Sequence, residues 1–113
     1  KPTSNFTSLC YLMVIYVDID QTIANTPRDG ESWNYEKSSP RTKYISKINS
    51  LFDKGNQIVY WTARGSSSGK DWSELTKSQL DSWGCKYTRI ETLKKPSFDL
   101  FIDDKSIRIE ELK

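Results

Sequence analysis

The sequence predicts an α/β domain built on a mainly parallel sheet. Two observations predict it. Apolar runs of strand length alternate along the chain with amphipathic stretches of helix length. Three of the apolar runs end in polar or acidic residues, Asp18-Ile19-Asp20, Thr62-Ala63-Arg64 and Asp103-Asp104. In a parallel sheet such strand ends lie along one edge, which is where α/β proteins bind ligands.

The elements follow in order. Residues 1–12 read as a flexible lead-in, and a single domain spans 13–113. Met13–Val17 is a continuous apolar run, as expected of a strand buried on both faces. Residues 23–39 are polar, contain Pro27, Gly30 and the Ser38-Ser39-Pro40 cluster, and read as a long loop. Loops of that length in compact domains often carry function. A helix follows, with Ser39 as N-cap and Pro40 at its first position. Tyr44, Ile45, Ile48, Leu51 and Phe52 form its inner face, and Gly55 ends it. Gln57–Trp61 is a second buried strand, and 65–70 is a Ser/Gly loop. Asp71 and Glu74 have the spacing of a capping box for the next helix. Trp72, Leu75, Thr76, Leu80 and Trp83 mark its inner face, and Gly84 stops it. A short strand near Lys86–Ile90 and a last one over Phe98–Ile102 complete the alternation.

Composition narrows the function. A chain of 113 residues fits one domain. The formal charge of +2 is too slight to argue for nucleic acid. The chain has 17 basic and 15 acidic residues, so gathering Asp18, Asp20, Asp103 and Asp104 at one site leaves 11 acidic residues elsewhere. A cation at that site would then leave a surface inviting to anions. Histidine is absent, which removes Ser-His-Asp and Cys-His catalysis and histidine metal sites. Two cysteines give no disulfide framework and read as reduced thiols of a cytoplasmic protein. The apolar run from Leu9 to Val17 is far shorter than the ~20 residues of a spanning helix, and no cleavage site follows it. No membrane partner is expected.

The strand ends define a chemistry. On an extended strand exit, residues two apart point the same way, so Asp18 and Asp20 can face one substrate. One carboxylate can attack phosphorus. The other acid can protonate the leaving oxygen and then deprotonate water. Two carboxylates near a phosphate repel, so a divalent cation is required, and hard oxygen ligands select magnesium. Asp103 and Asp104 would supply its remaining acidic ligands. The Thr62 hydroxyl can donate to a phosphate oxygen, and a lysine can neutralise the transition state. Each piece alone is ordinary: Asp-x-Asp is commonly a cap, Asp-Asp a turn, Lys94-Lys95 a solvated surface pair. Their joint occurrence at strand ends, in this order, is what carries the reading.

These residues resemble the motifs of the haloacid dehalogenase-like phosphatases. Asp18-Ile19-Asp20-Gln21-Thr22 is similar to the family's Asp-x-Asp-x-Thr, with Gln21 where glycine is frequent. Thr62, Lys95 before Pro96, and Asp103-Asp104 resemble the second, third and fourth motifs, and Lys94 competes with Lys95 for the third. The likeness covers nearly all of 13–108. Thr62-Ala63-Arg64, Lys95-Pro96 and the segment 101–108 resemble small bacterial capsule and polysaccharide biosynthesis phosphatases. The resemblance implies a three-layer Rossmann-like domain, with Asp18 as nucleophile and Asp20 as general acid/base. Thr62 and Lys95 would hold the phosphoryl group. Asp18, the Asp20 carbonyl and Asp103 would bind Mg2+, with Asp104 as ligand or supporting neighbour. Arg64 either contacts substrate or organises its loop.

The intervals between motifs are too short for the cap domain that many relatives carry. An uncapped site leaves shielding to loops, a partner subunit in an oligomer or the substrate; Trp33 and Tyr35 in the 24–39 loop either serve as a lid or pack on the core edge. The expected substrate is a phosphorylated small molecule or saccharide. A nucleic-acid 3′-phosphatase is the rival on the same fold, and a phospho-receiver signalling domain is the rival of another class. The receiver order of acidic pair and phosphorylated aspartate disagrees with this sequence.

Overall fold

The computed structural model describes residues 12–66, 68–92, 95, 100 and 102–113. Its centre is a parallel sheet in the order β1 (Val14–Val17), β6 (Gln57–Trp61), β7 (Arg89–Glu91). The register sets Val17 beside Tyr60, and Tyr60 beside Ile90. Two helices connect these strands, α1 (Thr42–Asp53) and α2 (Ser73–Ser82). The chain is therefore an α/β protein, and no described helix is long and apolar enough to cross a membrane.

Strand pleating explains the core. Ile15, Val17, Ile58 and Tyr60 share one face of the sheet, and both helices contribute to the cluster on that face. Ile45 and Ile48 come from α1, and Leu80 from α2, with Ile23, Ala24 and Cys85 filling between. Strand β6 is buried on both sides at Ile58, Val59 and Tyr60. Strand β1 is not. Val14 and Tyr16 are 54 % and 47 % exposed, which corrects the expectation of a strand buried on both faces. Among the described residues, β1 ends the strand order and pairs with β6 alone, and nothing described there buries Val14 and Tyr16. Tyr16 instead meets Trp61 edge-on, ring centroids 5.5 Å apart. The expected last strand, Phe98–Ile102, lies mostly outside the described residues; Leu100 and Ile102 are exposed and in no strand.

The segment read as a loop, 23–39, is more ordered than that. Strand β2 (Ala24–Asn25) pairs antiparallel with β5 (Ser39–Pro40), and β3 (Arg28–Asp29) with β4 (Ser32–Trp33). A short 3-10 helix, Tyr35–Lys37, joins the two ribbons into one flap. Ser39 and Pro40 are thus used in pairing and do not start the helix. Helix α1 begins at Thr42 with Arg41 at the N-cap, and Arg41 N–H donates to the Ile23 carbonyl instead. The second capping expectation shifts likewise. Helix α2 begins at Ser73 after Trp72, and Asp71 accepts the Ser73 N–H at 2.9 Å. Both helices stop where glycine adopts positive φ, at Gly55 (+104°) and Gly84 (+75°). The strand expected near Lys86–Ile90 starts later, at Arg89.

The C-terminal 3-10 turn, Ile109–Glu111, closes against α1. Lys47 Nζ donates to the Leu112 carbonyl at 2.6 Å, while Ile109 and Leu112 pack on the core.

Candidate active site

Parallel pairing of β1 and β6 brings the carboxyl ends of both strands to one rim. The chain leaves β1 through Asp18 and turns sharply. The Ile19 carbonyl accepts N–H bonds from Thr22, Ile23 and Ala24 at 3.0–3.1 Å. The turn needs a left-handed residue, and Gln21 takes that place at φ +63°. A non-glycine residue there is uncommon. Its side chain compensates: Nε2 donates to the Thr26 carbonyl at 3.0 Å, and Oε1 accepts the Thr26 N–H at 3.2 Å.

Each aspartate has its own cation. Lys95 Nζ donates to Asp18 Oδ1 at 2.8 Å, and Thr22 Oγ1 donates to Asp18 Oδ2 at 3.2 Å. The Asp18 side chain remains 42 % exposed while that of Lys95 is 11 % exposed, so a ligand can reach the carboxylate. Asp20 is paired with Arg64 through a two-bond fork, Nε to Oδ2 at 3.0 Å and Nη2 to Oδ1 at 2.7 Å. Thr26 Oγ1 adds a bond to Oδ1 at 2.5 Å.

Arg64 is 1 % exposed and every one of its five N–H groups has an acceptor. Besides the fork, Nη1 donates to Thr76 Oγ1 (3.2 Å) and Gln79 Oε1 (2.6 Å), and Nη2 to Ser38 Oγ (3.2 Å). Its guanidinium lies 4.8 Å from the Tyr35 ring centre. Tyr35 also meets Trp72 edge-on, so it packs rather than standing free as a lid, whereas Trp33 is exposed. Burial raises the Tyr35 hydroxyl above its ordinary pKa, the Asp20 charge adds to this, and Arg64 opposes it.

Thr62 is buried beside this pair. Its Oγ1 accepts the Arg64 backbone N–H at 3.1 Å, and its own N–H donates to the Glu91 carbonyl at 3.1 Å. A shallow, open cleft of about 380 Å³, lined by Gln21, Asn25, Thr26, Pro27, Lys37 and Ser39, lies alongside.

The structure therefore brings together Asp18, Asp20, Thr62, Arg64 and Lys95. Lys94 lies outside the described residues. Asp103 and Asp104 are exposed, and among the described residues no three His, Cys, Asp or Glu gather as a metal site requires. Asp103 Oδ2 instead accepts the Lys105 N–H at 3.1 Å. Magnesium is matched by donor type, carboxylate and carbonyl oxygen, but Asp18 and Asp20, two residues apart, are not joined by Asp103 and Asp104 into one cluster. Sequence reasoning missed the shell around the Asp20–Arg64 pair, namely Thr26 on Asp20 and Ser38, Thr76 and Gln79 on Arg64. One signal was there: Thr76 and Gln79 put polar groups three residues apart beside the apolar positions of α2.

No protein-family model matches the chain, and no curated protein does. Among solved structures it is similar to a structural-genomics crystal structure from Vibrio cholerae, with TM-score 0.71 and 23 % identity, covering 89 % of this chain and 86 % of that one. At that identity the likeness concerns the fold: both chains share an α/β architecture consistent with a Rossmann-like type.

Proposed function

We propose that the chain is a magnesium-dependent phosphomonoester hydrolase that works through an aspartyl phosphate. One observation carries the reading. Two carboxylates at the end of the first strand are each held by a separate cation brought from a different part of the chain, Asp18 by Lys95 and Asp20 by Arg64. That asymmetry suits a division of labour. Asp18, exposed and balanced by a lysine, is the nucleophile. Asp20, enclosed and oriented, is the acid/base. Lys95 beside Asp18 would offset the charge that builds on an attacked phosphoryl group, and by the sequence resemblance the Thr62 hydroxyl, buried at 1 % exposure, would be the second donor once the site opens to substrate.

In the first half-reaction, an Asp18 oxygen attacks phosphorus as the ester bond breaks, and the proton on Asp20 passes to the leaving oxygen. In the second, water attacks the aspartyl phosphate, its proton goes to Asp20, and the Asp18 carboxylate is released with inorganic phosphate. By the sequence resemblance, Asp18, the Asp20 carbonyl and Asp103 would hold magnesium, with Asp104 as ligand or supporting neighbour; Asp103 and Asp104, exposed and in no described carboxylate cluster, would have to close onto Asp18 to do so. When bound, the cation offsets the negative charge that carboxylates and phosphate bring together.

The sequence resemblance extends the reading to a cytoplasmic, three-layer Rossmann-like domain without a cap, acting on a sugar phosphate or polysaccharide precursor. The flap supports the uncapped reading, since 24–40 forms two small ribbons and not a domain. A magnesium-dependent screen over sugar phosphates, nucleotides and 3′-phosphorylated DNA tests it. Turnover is expected on a sugar phosphate, with a loss of at least about 1000-fold in Asp18→Asn. Asp18→Asn turning over at the wild-type rate would overturn the nucleophile assignment, and full activity after chelation the metal. Turnover of the DNA alone would select the nucleic-acid 3′-phosphatase.

A further inference from the structure

Arg64 cannot be a substrate contact. It is 1 % exposed and its five N–H groups are all engaged within the protein. We propose that Arg64 is the positioning residue of Asp20, fixing that carboxylate so that Oδ2 is the oxygen that gives and takes the proton. This rests on the phosphatase reading and deepens it.

The assignment comes from counting lone pairs. Asp20 Oδ1 accepts from Arg64 Nη2 and from Thr26 Oγ1, which occupies both of its lone pairs. Among the described residues Oδ2 accepts only from Arg64 Nε, leaving one lone pair for a proton. A guanidinium fork holds a carboxylate in one plane, which a lysine cannot do. Arg64 is itself held from three sides. Thr76 and Gln79 grip it from α2, Ser38 from the flap, and Tyr35 lies against its guanidinium. Gln79 Nε2 also donates to the Tyr35 carbonyl at 2.7 Å, locking its own orientation. The orientation of Asp20 is thus inherited from the β6–α2 connection and the flap together.

The chemistry makes the role measurable. When the ester bond breaks, the electron pair moves to the leaving oxygen and the Oδ2 proton follows it. An alkyl leaving group needs that proton; a nitrophenolate leaves without it. Displacing Asp20 should therefore harm alkyl esters far more than aryl esters. A side chain that merely held the fold together would harm both alike.

The test compares kcat/KM for glycerol phosphate and p-nitrophenyl phosphate, since this ratio reports steps up to aspartyl-phosphate formation. Arg64→Lys is expected to lower the alkyl value about 100-fold and the aryl value less than about 5-fold. Because Arg64→Lys buries a charge without its fork, a second variant, Gln79→Met with Ser38→Ala, keeps Arg64 and removes two of its acceptors. It should show the same selectivity at about 10-fold, with a cooperative melt retained. Equal losses on both esters, or no loss on either, would overturn the positioning role while leaving the phosphatase reading intact. Failure of the wild type to hydrolyse, with magnesium, either ester or any phosphate of the substrate screen would overturn both.

Discussion

Replacing Gln21 by glycine sets two local forces against each other. At φ +63° a residue with a side chain is strained, and glycine would relieve roughly 1 kcal/mol of that strain. Glycine also makes the unfolded chain more flexible, which offsets about 0.7 kcal/mol of the gain. Against the small remainder stand two hydrogen bonds to the Thr26 backbone, 3.0 and 3.2 Å long. Both are partly exposed, so a value of about 0.7 kcal/mol each is appropriate, or about 1.5 kcal/mol together. The side chain wins. Gln21→Gly should be about 1 kcal/mol less stable than wild type, lowering Tm by about 4 °C. Gln21→Ala, which keeps the strain and loses the bonds, should lose slightly more. Thermal melts followed by circular dichroism, with urea titrations for ΔG, would measure both. If Gln21→Gly melts at or above the wild type, backbone strain outweighs the side-chain clasp and the reasoning is wrong.

Two further outcomes are expected. Burial pushes the Cys85 thiol up to about 11, with a smaller opposing effect from the neighbouring Tyr60 hydroxyl, and burial pushes the Tyr60 hydroxyl up as well. The unfolded chain then loses these protons first as pH rises, so stability falls from about pH 9 to pH 11, by on the order of 2–3 kcal/mol for Cys85. Urea titrations across that range should show a shallower decline in Cys85→Ala; a flat wild-type profile would contradict the burial argument. Magnesium at tenfold excess over its Kd should add about 1.4 kcal/mol, or about 5 °C in Tm. Asp103→Asn should abolish that rise, and a rise surviving intact would exclude Asp103 as a ligand.

How much of this could be seen in the sequence differs from element to element. Gln57–Trp61 and the apolar face of α1 were plain, because continuous and periodic apolar patterns are set by burial. The start of α1 was not, because Ser39 and Pro40 suit a helix start but are taken by pairing with Asn25 and Ala24. That competition is tertiary and invisible locally. The exposed flank of β1 was equally hidden, since an apolar run does not say how many neighbours it has. At the site, Asp18, Asp20 and Thr62 were legible as polar residues at strand ends, and Lys95, in competition with Lys94, through the motif resemblance alone. The pairing of Asp20 with Arg64 was not, although it follows once β1 and β6 are adjacent. Val17 lies beside Tyr60, and continuing that offset sets Asp20 against the Ala63–Arg64 step. Two polar residues beside the apolar positions of α2, Thr76 and Gln79, were the only hint that a buried charge needed acceptors.

The flap has two parts with different attachments. Its tip, Arg28 to Trp33, is held by its own ribbon, by Arg28 lying over Trp33 at 4.5 Å, and by Asn34 bound to Asp29. Its base is tied to the buried pair: Thr26 and Ser38 share a 2.7 Å hydrogen bond and each touches Asp20 or Arg64. In terms of cooperative units, the base belongs with the sheet and α2, and the tip does not. The tip can open and reclose as a local fluctuation. The base opens only when the ion pair is exposed to water, an event close to global unfolding. Amide exchange would therefore rise abruptly between Thr26 and Asp29. Asp20 sits on the slow side of that divide, and the exposed Trp33 on the fast side.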